Sequence, residues 1–334
     1  MTYKKKVTVL LGVIAVLALT WVLSLIFAPE RRGARSDAYS WLDPSQNERI
    51  TRVAITQAPD GESELEPITL TRNEGRWFVS HNGKDYPARN ERVNDFIAAL
   101  SKRAPYPVRS SSASSHERLS LTENRAVHVA VAAGVGMPAL SLLIGQEDLT
   151  GQVFLRMQGH NEVRSGENIF SSYTRSSLQS WYNLRLFPET EHGGLDASAI
   201  QRLTVYPPAN DPADGDEAPP LAVSPLIFSR RGNEWTFNFN LANPNMEKVN
   251  SYIRDILNTV GNDFVHTIAA SDPMFNDSRF ILEFGNGDRR TIRLAPPDEE
   301  GRRYASVSGS DWVYSIPAWA ANRLFIETSG FELD

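Results

Sequence analysis

Along most of this chain hydrophobic and polar residues alternate with a period of two, the mark of a half-buried strand. Ile50, Val53 and Ile55 begin the pattern, and Ile68, Leu70, Trp77 and Val79 continue it across a turn at Asn73, Glu74 and Gly75. The period then becomes helical: Val93, Phe96, Ile97 and Leu100 form one apolar stripe at i, i+3, i+4 and i+7, behind Asn90 as the expected N-cap. Four more short strands are predicted around Val127 to Val131, Leu140 to Ile144, Val153 to Met157 and Glu162 to Ile169. Gly134 to Gly136, Gly145 to Gly151 and Gly159 to Asn161 supply their turns, and a helical stretch containing Trp181 closes the series.

The series then repeats about 150 residues downstream, which makes an internal duplication the first organising expectation. ITRVAI from Ile50 matches IQRLTV from Ile200, and the hairpin around Trp77 matches the one around Trp235. ERVNDFIAAL matches EKVNSYIRDI, with Val249, Tyr252, Ile253 and Ile256 as the second stripe behind Asn245. GQVFLRMQGHNEVRSG matches GRRYASVSGSDWVYSI, and Trp319 stands in the second closing stretch. Strands outnumber helices and most connections are hairpins, so each copy is expected to be an antiparallel α+β domain with one main amphipathic helix on its sheet. A doubly wound parallel sheet would need helical crossovers that the pattern lacks.

One segment follows neither period. From Val7 to Ala28 the chain carries no charge, and as a helix this run would span roughly 30 Å of hydrocarbon with its backbone internally bonded. It is longer than the apolar region of a cleaved signal, about 7–15 residues, and its cleavage pattern is poor. Lys4, Lys5 and Lys6 precede it, while Arg31, Arg32 and Arg35 follow it interleaved with acids, so charge alone weakly orients the span. A short tail, one span and a large polar remainder make a signal anchor, with the domains in the periplasm and the span in the inner membrane. The expected organisation is therefore a tail and transmembrane anchor over 1–28, a linker over 29–47 and a first repeat over 48–187. A second linker over 188–199 and a second repeat over 200–334 follow.

Composition narrows the function more by exclusion. The 334 residues carry a formal charge of -6, and setting aside the three lysines before the span makes the remainder more acidic still, which argues against nucleic acid and against an anionic membrane surface. The absence of cysteine removes disulfides, thiolate metal sites and thiol catalysis. The six histidines, His81, His116, His128, His160, His192 and His266, never fall at the i, i+4 spacing of a helix-borne metal pair. GVGMPA at Gly134 and GNGDRR at Gly285 sit between strands and read as hairpin turns rather than phosphate loops. Asp211, Asp214, Asp216 and Glu217 cluster in a Pro-rich loop that does not match a calcium-binding loop and reads as solvated. No catalytic, cofactor or metal residue is therefore expected. Aromatic positions recurring between copies, Trp77 with Trp235, Phe96 with Tyr252 and Phe154 with Tyr304, read as core. Trp312, opposite Glu162 of the first copy, lacks such a role and is the candidate for partner or ligand contact.

The KKK-plus-anchor start, the EGRWFVS hairpin, ERVNDFIAAL, the strand pair ending SLLIG and GQVFLRMQGHNEV before SLQSWYNLRLF resemble the bacterial envelope family known as domain of unknown function 4340. SHERLSLTENRAV departs from the family's tyrosine-glycine-leucine step. The resemblance implies a non-catalytic accessory or scaffold of an ABC-type transport complex of the gliding-motility kind, with transporter subunits as partners. The alternative expectation is a glycan- or solute-binding module that uses the groove between the repeats.

Overall fold

The computed structural model describes residues 16–17, 19–21, 38–57, 67–134, 138–189, 195–207, 224–232, 234–325 and 328–332. They form two units: residues up to Asp85 with Arg89–Trp181, and Tyr86–Ala88 with Tyr182–Asp334.

The first sheet and its neighbours are built from β1 (Ala38–Tyr39), β2 (Ile50–Thr56), β3 (Ile68–Asn73), β4 (Arg76–His81), β5 (Lys84–Pro87, whose last two residues belong to the second unit), β6 (Ala104–Pro105), β7 (Val108–Ser110), β8 (Val127–Ala133), β9 (Pro138–Glu147), β10 (Gln152–Met157) and β11 (Val163–Glu167). The main sheet runs β5-β4-β3-β2-β8-β9-β10-β11-β7, and β1 pairs separately with β6. The helix Asn90–Ser101 buries Val93, Phe96, Ile97 and Leu100, the stripe the spacing predicts. The inner face of the sheet presents Val53, Ile55, Leu70, Trp77, Val79, Val129 and Val131, all buried. Each large side chain among these stabilises the unit by about 1.5–3 kcal/mol relative to exposure.

The second unit holds β12 (Ile200–Tyr206), β13 (Leu226–Arg231), β14 (Glu234–Phe237), β15 (Asp263–Phe264), β16 (Ser278–Phe284), β17 (Arg289–Leu294), β18 (Arg303–Val307) and β19 (Val313–Ile316). Its sheet runs β14-β13-β12-β16-β17-β18-β19-β15, the first unit's order without an outermost β5. The helix Met246–Leu257 buries Val249, Tyr252, Ile253 and Ile256. Antiparallel sheets with few helices are thus the architecture of both units.

The agreement reaches individual bonds. A bulge falls between Ile50 and Arg52 where β2 meets β8, and another between Ile200 and Arg202 where β12 meets β16. The extra residue explains how Ile50 and Val53, which a strict period of two would place on opposite faces, are both buried. Next to the bulges the Gly134 N–H donates to the Arg49 carbonyl at 3.1 Å, and the Gly285 N–H to that of Ala199 at 2.9 Å. Farther along, Asp148 accepts from the backbone of Thr150 and Gln152, and Asp298 from that of Glu300 and Arg302. Both turns need a left-handed residue, Gly151 at φ +79° and Gly301 at φ +75°.

Several sequence expectations are corrected. Asn245 caps its helix, accepting from Glu247 and Lys248 at 3.0 and 3.1 Å, but Asn90 lies inside the first helical turn, and its oxygen accepts the Trp77 N–H at 2.8 Å instead. Trp181 and Trp319 are not counterparts. Trp181 is fully buried and its carbonyl accepts from Arg89 at 2.8 Å; Phe331 takes that place in the second unit, accepting from Asn245 at 2.7 Å. The expected linker over 29–47 is folded where it is described. Trp41 and Leu42 are buried, and both donate to the Leu100 carbonyl. The unit boundary falls at Tyr182, earlier than expected, because Leu184 and Leu186 bond with Gly261 and Thr259 of the second unit.

Of the anchor expected from Val7 to Ala28, only Val16, Leu17, Leu19, Thr20 and Trp21 are among the described residues; they are helical and exposed. Among the described residues no helix is long and apolar enough to cross a membrane, and the rest of that stretch lies outside them.

Candidate functional site

The first place to seek chemistry is a chain of polar side chains on adjacent strands of the first unit. His128 on β8 lies with Nε2 2.7 Å from the Ser141 Oγ on β9. Ser141 donates to the Gln158 Oε1 at 2.6 Å, and the Gln158 amide donates to Glu123 at 2.8 Å. A serine beside a histidine suggests an activated nucleophile, but proton accounting decides otherwise. Ser141 has one hydroxyl proton, and it is given to Gln158, so His128 donates through Nε2 rather than accepting. A histidine that donates to the serine does not act as its base. The chain is a hydrogen-bonded brace across β8, β9 and the turn after β10.

The side chains of three other histidines have hydrogen-bond partners. Asn82 meets His81 at 2.8 Å, His116 meets the Asn161 carbonyl at 3.2 Å, and Tyr86 meets His266 at 2.7 Å. His192 and the acidic cluster from Asp211 to Glu217 lie outside the described residues. Among the described residues no group of three or more His, Asp or Glu side chains is placed to hold a metal ion.

Buried Arg156 is committed to the fold as well. Its Nε and Nη2 donate to the Leu121 carbonyl at 3.2 and 2.8 Å, and its Nη1 to that of His160 at 2.9 Å. These bonds pin the segment carrying Leu119, Leu121 and Ala126 over Leu143 and Val163. Desolvation lowers the Arg156 pKa, opposed by the negative charge of Glu123.

A half-open recess of 230 Å³ in the first unit is lined by Leu42, Asp43, Gln46, Arg49, Ala133, Pro138 and Ala139. Ligand sites commonly enclose about 300–1,000 Å³, so it is small for a solute. Asp43 is also occupied, since it accepts the Ser45 N–H at 2.9 Å, the bond that lowers its pKa.

The aromatic expectation divides. Trp312 is half-buried, with its backbone N–H on the Ser310 hydroxyl at 3.1 Å, whereas Trp319 is 63% exposed with the Arg323 guanidinium 5.3 Å from its ring centre. The sequence singled out Trp312 for lacking a counterpart, but absence of a counterpart does not report exposure. Trp319 stands outside the apolar stripe of its helix, whose buried residues are Ala320, Ala321 and Leu324. That local signal could have found it.

The feature that sequence reasoning missed is on the outer face of the second sheet, turned away from the helix Met246–Leu257. Leu203, Phe228 and Leu282 face inward, so by alternation their neighbours Arg202, Thr204, Tyr206, Arg279, Ile281, Glu283, Thr291 and Arg293 lie on the opposite face, where Thr204 and Ile281 are buried between the flanking side chains. Register sets them in rows. Tyr206 is paired with Arg279 and Arg279 with Arg293; Arg202 is paired with Glu283 and Glu283 with Arg289. Arg202, Arg279, Arg289 and Arg293 are exposed, and the Arg279 guanidinium lies 4.0 Å from the centre of the Tyr206 ring. Among the described residues none of these four guanidinium groups forms an ion pair. The corresponding row of the first sheet is Thr56, His128 and Leu143.

Comparison of the chain with protein-family models, curated proteins and solved structures finds no match.

Proposed function

We propose that this chain is a non-catalytic scaffold of the bacterial envelope: a single inner-membrane span, from Val7 to Ala28, presents two periplasmic sheet domains to subunits of an ABC-type transport complex. The supporting observation is that the two units share strand order, bulge and turn bonds while their outer faces differ chemically. Framework bonds kept in both units describe what folding requires. Surface residues that differ are free to serve recognition, and a sheet offers recognition through its faces and its short edge strands β7 and β14. The uncharged run and the resemblance to a transporter-associated envelope family support this location and this class of partner.

Crosslinking of the full chain in intact membranes, followed by identification of the captured proteins, tests this reading. Recovery of transporter subunits is expected. A monodisperse chain without crosslinked partners, whose tryptophan fluorescence shifts with oligosaccharide, would replace the scaffold with a solute-binding module. A reporter enzyme that is active only in the periplasm, fused after Asp334, should be active.

A further inference from the structure

We propose that the row Tyr206, Arg279 and Arg293 on the outer face of the second sheet docks an acidic, extended segment of a partner protein. The inference rests on the scaffold reading and adds the chemistry of the partner.

Arg279 and Arg293 are direct cross-strand partners on β16 and β17. Like charges so placed destabilise a sheet unless something of opposite sign comes between them. Glu283 is the sole acid in the two rows, and among the described residues it forms no ion pair with its neighbours Arg202 and Arg289. The fold does not demand this charge, because the first unit builds the equivalent positions from His128 and Leu143 on the same register. Tyr206 lies against the Arg279 guanidinium, which limits its motion while its edge N–H groups remain free to meet a carboxylate in two-point fashion. Arg202 and Arg289 lie in a row about 13 Å along the strands, a spacing that an extended peptide spans in about four residues.

An anionic membrane is the competing occupant, and the charge of the whole chain disfavours it. A charged surface meets the net -6 of the protein, whereas a short acidic segment responds to charges within a Debye length, about 8 Å at physiological salt.

The test uses the full chain in neutral detergent and a fluorescein-labelled hexaglutamate peptide read by anisotropy. Arg279→Ser with Arg293→Ser should weaken binding about tenfold or more, and added salt should weaken the wild type. Arg118→Ser with Arg125→Ser removes the same charge from the first unit and should leave binding within about twofold. Near-ultraviolet circular dichroism establishes that both variants fold. Equal losses in the two variants, no binding by the wild type, or arginine-dependent capture of phosphatidylglycerol vesicles with the peptide ignored would each overturn the proposal. If the Arg279 and Arg293 variant still crosslinks transporter subunits, this surface is wrong and the scaffold stands; if the wild type crosslinks none, the scaffold itself falls.

Discussion

The indole N–H of Trp77 donates to the Asn94 Oδ1 at 3.1 Å, joining the first hairpin to the helix that covers it. The second unit repeats this bond between Trp235 and Asn250 at 2.9 Å, with Arg230 5.8 Å from the Trp235 ring centre as Arg72 is from that of Trp77. A polar bond so placed fixes the height of the helix over the sheet, which a purely apolar contact leaves free to slide.

Replacing Asn94 or Asn250 by Leu should therefore cost about 1–3 kcal/mol in each case, because the indole N–H of a tryptophan only 2% or 3% exposed loses its acceptor. Urea unfolding monitored by tryptophan fluorescence measures both. A cost in one unit and none in the other would show that the shared bond does not serve a shared purpose.

The turn at Asp148 predicts an acid-sensitive contribution. The Thr150 hydroxyl and then the Gln152 N–H hold the Asp148 carboxylate below its ordinary pKa. A depressed carboxylate stabilises the fold above about pH 3.9, the unfolded value, and that contribution disappears as the pH falls through the lower folded value. Asp148→Asn, which does not titrate there, should be less stable than the wild type at pH 6, and the difference should narrow toward pH 2. Thermal unfolding across that range decides it.

At the alkaline end Tyr252 contributes alongside Tyr314, another tyrosine whose pKa burial raises. Tyr252 is buried on the helix Met246–Leu257 beside Phe228 and Phe331, its hydroxyl donates to the Leu324 carbonyl at 2.7 Å, and burial pushes its pKa far above that of a free phenol. A raised pKa means stability that is whole below about pH 10 and is lost as the pH rises toward the folded value. Tyr252→Phe should cost about 1 kcal/mol at neutral pH through the missing hydrogen bond and should flatten the loss above pH 10. Denaturant titrations at neutral pH and near pH 11 separate the two effects.

Trp181 and Trp319 provide a contrast in burial. Trp181→Ala should destabilise the first unit by about 3–5 kcal/mol, since the side chain is fully buried beside Phe96 and Tyr173. Trp319→Ser removes a 63% exposed ring and should change stability by no more than about 0.5 kcal/mol. Thermal unfolding of the pair checks both values.

Much of the fold is legible in the sequence. The stripe Val93, Phe96, Ile97 and Leu100 and its counterpart at Val249 appear as helices because a helical period is written in consecutive residues. Hairpins such as that at Glu74 and Gly75 are equally local, as both residues take the left-handed conformation there. Trp41 and Leu42 escaped notice because two apolar residues in a polar stretch carry no period, and only their docking on Leu100 makes them core. The position of Asn90 in the sequence suits a cap, yet the Trp77 N–H claims its oxygen.

The sequence by itself determined the longer strands, the main helix of each half and the burial of their apolar faces, because periodicity and turn chemistry depend on near neighbours along the chain. The short strands β1, β5, β6, β7 and β15 carry no readable period and exist only through their pairing. Tertiary structure alone decided that Tyr206, Arg279 and Arg293, from three separate strands, would share one row, and that the proton of Ser141 would go to Gln158 rather than leave His128 a base. Those outcomes depend on cross-strand register. A shift of one residue would turn each side chain to the opposite face, so the charged row belongs to the assembled sheet and to none of its strands.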